Sequence, residues 1–191
     1  MTSAFVSAFV LAFSTFLPVI NPFSGAMFFC TLTTSLSDRD RAFVANRIAL
    51  YCLIILLVCL TCGHLILSFF GISVGVLRMA GGCVLSPQAG LPECATQEET
   101  TEERPALSRA KLKSMAFYPF TLPLTTGPGA IAVSVAVSTS LPRDLGHIAG
   151  TFVATVATVA VIWVCYRYSD RLNKAVGVAG ADALARIFAF I

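Results

Sequence analysis

Phe120-Thr-Leu-Pro-Leu-Thr-Thr-Gly-Pro-Gly-Ala130 decides how this chain folds, and it has a counterpart near the N-terminus, Phe16-Leu-Pro-Val-Ile-Asn-Pro-Phe-Ser-Gly-Ala26. Each stretch holds a proline (Pro18, Pro123), then a polar residue or glycine before a second proline (Asn21-Pro22, Gly127-Pro128), then Gly-Ala (Gly25-Ala26, Gly129-Ala130). Proline lacks the backbone donor and clashes with the preceding turn, so no helix runs undisturbed through either stretch. Both interruptions lie inside long apolar segments. In a bilayer, backbone without a partner is tolerated only where it is buried in protein or lines a cavity. Interrupted segments at corresponding places in two halves point to a transporter's binding site. The competing reading is a pair of ordinary proline-kinked spans, and the recurrence of the same residue order weighs against it.

Composition places the chain in lipid. Hydrophobic residues make up 57%, charged residues 12%, and the mean hydropathy is +0.83, outside the range of a water-soluble domain. A span takes about 20 mostly apolar residues. Segments 4–20 (continuing through the first break to about 34), 42–70, 115–139 and 145–166 qualify, while 72–91 and 175–191 are weaker. The first segment lacks a basic leader and runs past the length of a signal core, so it reads as a span that stays in place. The partner this composition implies is the lipid bilayer, and no nucleic-acid partner is expected.

Positive charge sets the orientation. With six spans, ten of the thirteen basic residues fall on one face: Arg39, Arg41 and Arg47; Arg104, Arg109, Lys111 and Lys113; Arg167, Arg171 and Lys174. That face is cytoplasmic by the positive-inside rule, and both termini lie outside. Deleting the weak third span would scatter those charges over both faces, so the bias supports a crossing at 72–91. The expected fold is an all-α integral membrane protein of six transmembrane segments, arranged as two inverted three-helix repeats with broken helices in spans 1 and 4. Residues 1–92 form the first repeat, 93–114 a charged cytoplasmic linker, and 115–191 the second repeat. Spans 3 and 6 are atypical. From Met79 to Leu91 there are 13 residues, about 20 Å of helix against a core near 30 Å, and Pro87 and Gln88 fall inside. The last span has 17 residues from Ala175 and includes Asp182 and Arg186, so it reads as truncated.

The order of elements resembles the MarC family of bacterial inner-membrane proteins, which includes small neutral amino acid transporters. Four stretches carry the match: Pro18-x-x-Asn21-Pro22; Gly71-Ile-Ser with Leu77-Arg-Met-Ala-Gly-Gly82; Pro119-Phe-Thr-Leu-Pro-Leu-Thr-Thr-Gly-Pro-Gly-Ala-Ile131; and Arg186-Ile-Phe-Ala-Phe190. The resemblance implies a multi-pass protein of the bacterial inner membrane with both termini periplasmic. It also implies a transport function for solutes such as glycine or alanine. Residues 86–103 and the short sixth span depart from the family pattern, which leaves an inactive variant, or a non-transporting structural or regulatory protein, as the alternative.

The residues themselves fit a substrate without net charge. Apart from Asp182, no acidic residue falls in a membrane core, so the charged relays that mark ion pumps are missing. Half-helix N-termini offer partial positive charge to a carboxylate, and carbonyls freed at the breaks can take an ammonium or sodium ion. Asn21, Ser24, Thr125 and Thr126 supply neutral donors and acceptors, and Gly25, Gly127 and Gly129 allow close backbone approach. With Pro22, Pro128 and Arg78 these residues form the candidate substrate site for a small neutral zwitterion. Arg78, beside Gly81-Gly82, either pairs with a carboxylate or snorkels to headgroups. No cofactor and no metal site is expected; a sodium ion or a proton is the candidate coupling ion, and a homo-oligomer is compatible.

The remaining motifs read as structural. His64 and His147 are the side chains that titrate near neutrality, and each reads as a polar residue at an interface. Cys59-Leu-Thr-Cys62-Gly-His64 misses the haem-attachment spacing by one residue and offers three ligands where a structural zinc takes four. Ser134 with His147 would be needed for an intramembrane hydrolase, but no nucleophile elbow surrounds Ser134, so no enzymatic activity is expected. Ser37-Asp-Arg-Asp40 has the form of a capping box before the second span.

Overall fold

The computed structural model describes residues 2–34, 36–69, 109–142 and 144–172. The expected third and sixth spans, residues 93–108 of the linker, and Arg78 lie outside the described residues. Those residues form helices joined by turns, with no strand among them: α1 (Thr2–Ile20), α2 (Pro22–Leu32), α3 (Asp38–Phe69), α4 (Arg109–Met115), an irregular stretch (Ala116–Thr125), α5 (Pro128–Ser140) and α6 (Leu145–Arg167). Among them, three helical segments are long and apolar enough to cross a membrane, or four when the bent pair on either side of residue 126 counts as one.

The first break costs a single residue. Asn21 takes the left-handed conformation (φ 46°, ψ 64°), which asparagine tolerates better than most side chains. Its N–H still donates to the Leu17 carbonyl at 3.1 Å, closing α1. Its Oδ1 accepts from the Ser24 N–H at 3.3 Å, capping α2. Pro22 follows at the first helical position, where a missing donor is harmless. The two helices thus form one apolar span of 31 residues, Thr2–Leu32.

The second break is more severe. Tyr118 (φ −129°, ψ 125°) and Leu122 (φ −116°, ψ 126°) are extended, because a residue before proline is pushed out of the helical region. The Tyr118-Pro119 and Leu122-Pro123 peptides are cis. Wide turns replace the helix: the hydroxyls of Thr121 and Thr125 donate to the carbonyls of Ala116 and Phe120, five residues back, each at 2.7 Å. The Thr126 N–H donates to Thr121 at 2.8 Å. The axis turns by 67° between Arg109–Thr125 and Pro128–Ser140. The matched Pro/Gly order therefore yields two unlike breaks, one a single left-handed residue and one a sharp bend.

The caps follow the sequence. Ser37 Oγ accepts from the Asp40 N–H at 3.2 Å and bonds Asp40 Oδ2 at 2.8 Å, so α3 starts at Asp38, earlier than hydropathy alone places it. Asp144 Oδ1 accepts from both the N–H and Nδ1 of His147 at 2.8 Å and caps α6.

Close packing of small residues brings the halves together. Ala8, Ala12, Phe16 and Ile20 are buried along α1, and Gly146, Gly150, Ala154, Thr158, Ile162 and Tyr166 along α6. Both rows step by four residues, the small-xxx-small pattern by which helices approach closely in lipid, where apolar burial gives no drive. A methyl group on Gly150 would fall on the Phe5 carbonyl. α1 and α2 pack on α6, while α3 packs on the irregular stretch and α5, so each broken segment lies against the unbroken helix of the other half. Val6, Val10, Leu50, Ile54, Val58 and Phe152 face outward, an apolar perimeter suited to lipid. At one end of the bundle Phe43 lies under the guanidiniums of Arg47 and Arg109, 5.3 and 5.5 Å from its ring centre. At the other end Thr2 and Phe5 meet Leu145, Gly146 and Ala149, so α1 and α6 run parallel.

Candidate functional site

Both breaks converge on a residue the sequence did not single out. The Tyr166 hydroxyl lies 2.6 Å from Thr125 Oγ1. It also rests on Gly25: a methyl group there would fall on the phenolic oxygen and lie 3.1 Å from Cζ. One phenol on α6 thus touches the first broken segment and hydrogen-bonds the second. Around it, the Phe29 ring stands 5.1 Å from Phe120, edge to face at 67°, and 5.1 Å from Tyr166. Phe29, Phe120, Tyr166 and Thr125 are all buried. Thr126 is held from the other side, its Oγ1 donating to Cys52 Sγ on α3 at 3.2 Å.

Gly25, Thr125 and Thr126 come together around Tyr166, while Asn21, Pro22 and Ser24 form the cap at the head of α2. Gly127 is extended (φ −73°, ψ 178°), so glycine is used there for space: a methyl group would lie 2.9 Å from the Pro123 carbonyl. Pro128 opens α5 and is exposed, and Gly129 is buried behind it. Asn21 Oδ1, Thr125 and Thr126 spend their hydrogen bonds inside the protein. Every buried side-chain nitrogen or oxygen among the described residues has a partner. Each break still opens on a helix N-terminus, that of α2 and that of α5, and no charged side chain stands among Asn21–Gly25 or Thr125–Gly129.

Tyr166 was legible only as a polar tip in an apolar span, which needs a partner when buried, and as a member of the four-residue row on α6. Cys52 gave no signal beyond burial. Ser134 donates to its own helix, at the Ala130 carbonyl, at 2.7 Å. Among the described residues no cluster of His, Cys, Asp and Glu could hold a metal ion.

Interrupted apolar segments packed by small residues, with lipid-facing walls, define a polytopic helical membrane protein. The sequence model described as "MarC family integral membrane protein" matches residues 6–191. The chain belongs to the MarC family. It is 30% identical to a UPF0056 membrane protein of Methanocaldococcus jannaschii, over 96% of this chain and 89% of that one. It is 28% identical to the UPF0056 inner membrane protein MarC of Salmonella arizonae, over 92% and 84%. A UPF0056 membrane protein of Archaeoglobus fulgidus is 29% identical over 98% and 87%. No solved structure matches.

Proposed function

We propose that the protein is a secondary transporter of small neutral solutes, with small neutral amino acids such as glycine or alanine as the substrate class. In this reading the chain forms two three-span repeats of opposite orientation in a bacterial inner membrane, with both termini periplasmic. The two repeats rock about the broken segments. The observation that carries the reading is the meeting of both breaks at Tyr166, which makes their geometry interdependent. The exchange of partners supports it further: Tyr166 of the second half rests on Gly25 of the first, and Cys52 of the first half holds Thr126 of the second. Partial positive charge at the starts of α2 and α5 suits a carboxylate, and carbonyls released when Thr121, Thr125 and Phe120 rearrange suit an ammonium group or a coupling sodium ion. A neutral lining favours a substrate whose own charges cancel.

A non-transporting, structural role draws on one specific observation, the tight fit of Gly25 under Tyr166 with the Thr125 and Thr126 hydroxyls bonded inside the protein. The two readings separate in a ligand-stabilisation experiment. A transporter in detergent melts at a higher temperature as glycine or alanine is added, since a ligand that binds only the folded state stabilises it in proportion to ln(1 + [L]/Kd). The shift disappears in Thr125→Val. A melting point indifferent to both amino acids supports the structural reading.

A further inference from the structure

Beyond the two breaks, toward the end of the bundle that carries Arg47 and Arg109, the halves are joined by two further layers. Gly25, Phe29 and Thr33 follow one another at four-residue spacing along α2 and its C-cap, and Asp170 lies just past the end of α6, four residues after Tyr166. The first layer is aromatic: Phe29 against Phe120 and Tyr166. The second is polar. Arg41, near the start of α3, pairs through Nη1 with Asp170 Oδ2. Its Nε donates to Thr33 Oγ1 at 3.1 Å and its Nη2 to the Cys30 carbonyl at 3.4 Å. The Cys30 thiol donates to Asp170 Oδ1 at 3.3 Å. Arg41, Cys30 and Thr33 belong to the first half and Asp170 to the second. The Arg41 side chain is 13% exposed and that of Asp170 45%. A pair open to water on one side adds little net stability. Its guanidinium is penalised only where it stays buried without the carboxylate, so the two part at little cost when Arg41 gains water as they separate. That combination suits a contact that forms and breaks as a unit.

We propose that Arg41 and Asp170 are a latch, sealed from behind by Phe29, Phe120 and Tyr166, that closes the path from the breaks to the basic end of the bundle. Its purpose rests on the transport reading: alternating access requires the site to open to each side in turn, and on this side the latch must part. The structure is then the state closed at the basic end.

Cys30 lies directly under the pair and is buried, so it reports the latch. In a full-length protein keeping Cys30 as its sole cysteine, a membrane-impermeant charged maleimide should label slowly in detergent micelles. Arg41→Gln and Asp170→Asn should each label at least tenfold faster, at a temperature well below either variant's melting point. The two substitutions remove charges of opposite sign from beside the thiol, so acceleration in both variants reads access and not local charge. Unchanged labelling in both, or acceleration in Asp170→Asn alone, overturns the latch. The assay uses no substrate. Fast labelling of both variants in a protein that takes up no solute keeps the closure and removes the transport reading. Uptake with unchanged labelling does the reverse.

Discussion

Replacing Gly25 by alanine tests whether Tyr166 joins the two breaks. Gly25 is helical, and alanine is the better helix former by about 1 kcal/mol in the absence of other contacts. Here the added methyl falls on the Tyr166 hydroxyl. That hydroxyl cannot swing away without losing Thr125 at 2.6 Å. Overpacking of this kind costs about 1–3 kcal/mol, so Gly25→Ala should lower stability by about 2 kcal/mol, or roughly 4–8 °C in Tm. Tyr166→Phe alone loses one buried hydrogen bond, about 1 kcal/mol, because Thr125 keeps its bond to the Phe120 carbonyl. In the double variant the clashing oxygen is gone, and the nearest ring atoms stand at 3.1 and 3.4 Å from the new methyl. Adding Gly25→Ala to Tyr166→Phe should then cost well under about 1 kcal/mol, since helix preference offsets the residual crowding. The coupling energy, about 1.5–2 kcal/mol, is in the range expected for residues in direct contact. Thermal unfolding of the four proteins in one detergent measures it. Additive effects would refute the contact, and with it the junction of the two breaks.

Other perturbations follow from the same geometry. Asn21→Gly should be nearly neutral in Tm, while Asn21→Ala should cost about 2 kcal/mol, combining a left-handed alanine with a lost cap; equal effects of the two would contradict the break's conformation. Ser37→Ala should cost about 1 kcal/mol through loss of the α3 cap, read as a fall in Tm. Gly150→Leu should prevent α1 and α6 from closing and abolish the monodisperse folded peak on size exclusion, since the Phe5 carbonyl occupies the space the side chain needs. Asp144 accepts the His147 N–H and then its imidazole N–H, and these bonds hold its carboxyl below the usual range. Its contribution is therefore present above the ordinary carboxylate pKa and is lost as pH falls through the lowered folded-state value. The acid-side decline in Tm should be shallower in Asp144→Asn, which keeps a capping side chain and titrates nothing.

The positions of the breaks, the caps at Ser37 and the apolar spans were readable because they rest on local chemistry. Proline removes a donor wherever it stands, and a serine before a helix finds the same N–H groups in any fold. What the breaks look like was not readable. Asn21-Pro22 and Gly127-Pro128 have the same punctuation, yet the first is a left-handed turn and the second is extended, because Pro119 and Pro123 together had already unwound the preceding ten residues. The candidate site was half legible. Gly25, Thr125 and Thr126 were picked out and do come together, but their meeting point depends on Tyr166, forty residues beyond the second break. The register of α6 against α1 and α2 places it there, and Gly150 fixes that register where it meets Phe5 and Ala8 without room for a side chain. Arg41 was read as one of the basic residues that orient the chain, and Asp170 only as an acidic residue outside the membrane core. Their pairing needs the ends of α2, α3 and α6 in one place, which no local pattern encodes.

Uptake of radiolabelled glycine and alanine into proteoliposomes, with and without sodium and proton gradients, tests the central claim most directly. The account predicts saturable uptake by the wild-type protein, responsive to one of the two gradients and lost in Thr125→Val while that variant remains folded. Absence of uptake of either amino acid under every gradient, by protein that melts cooperatively in the same lipid, would contradict it.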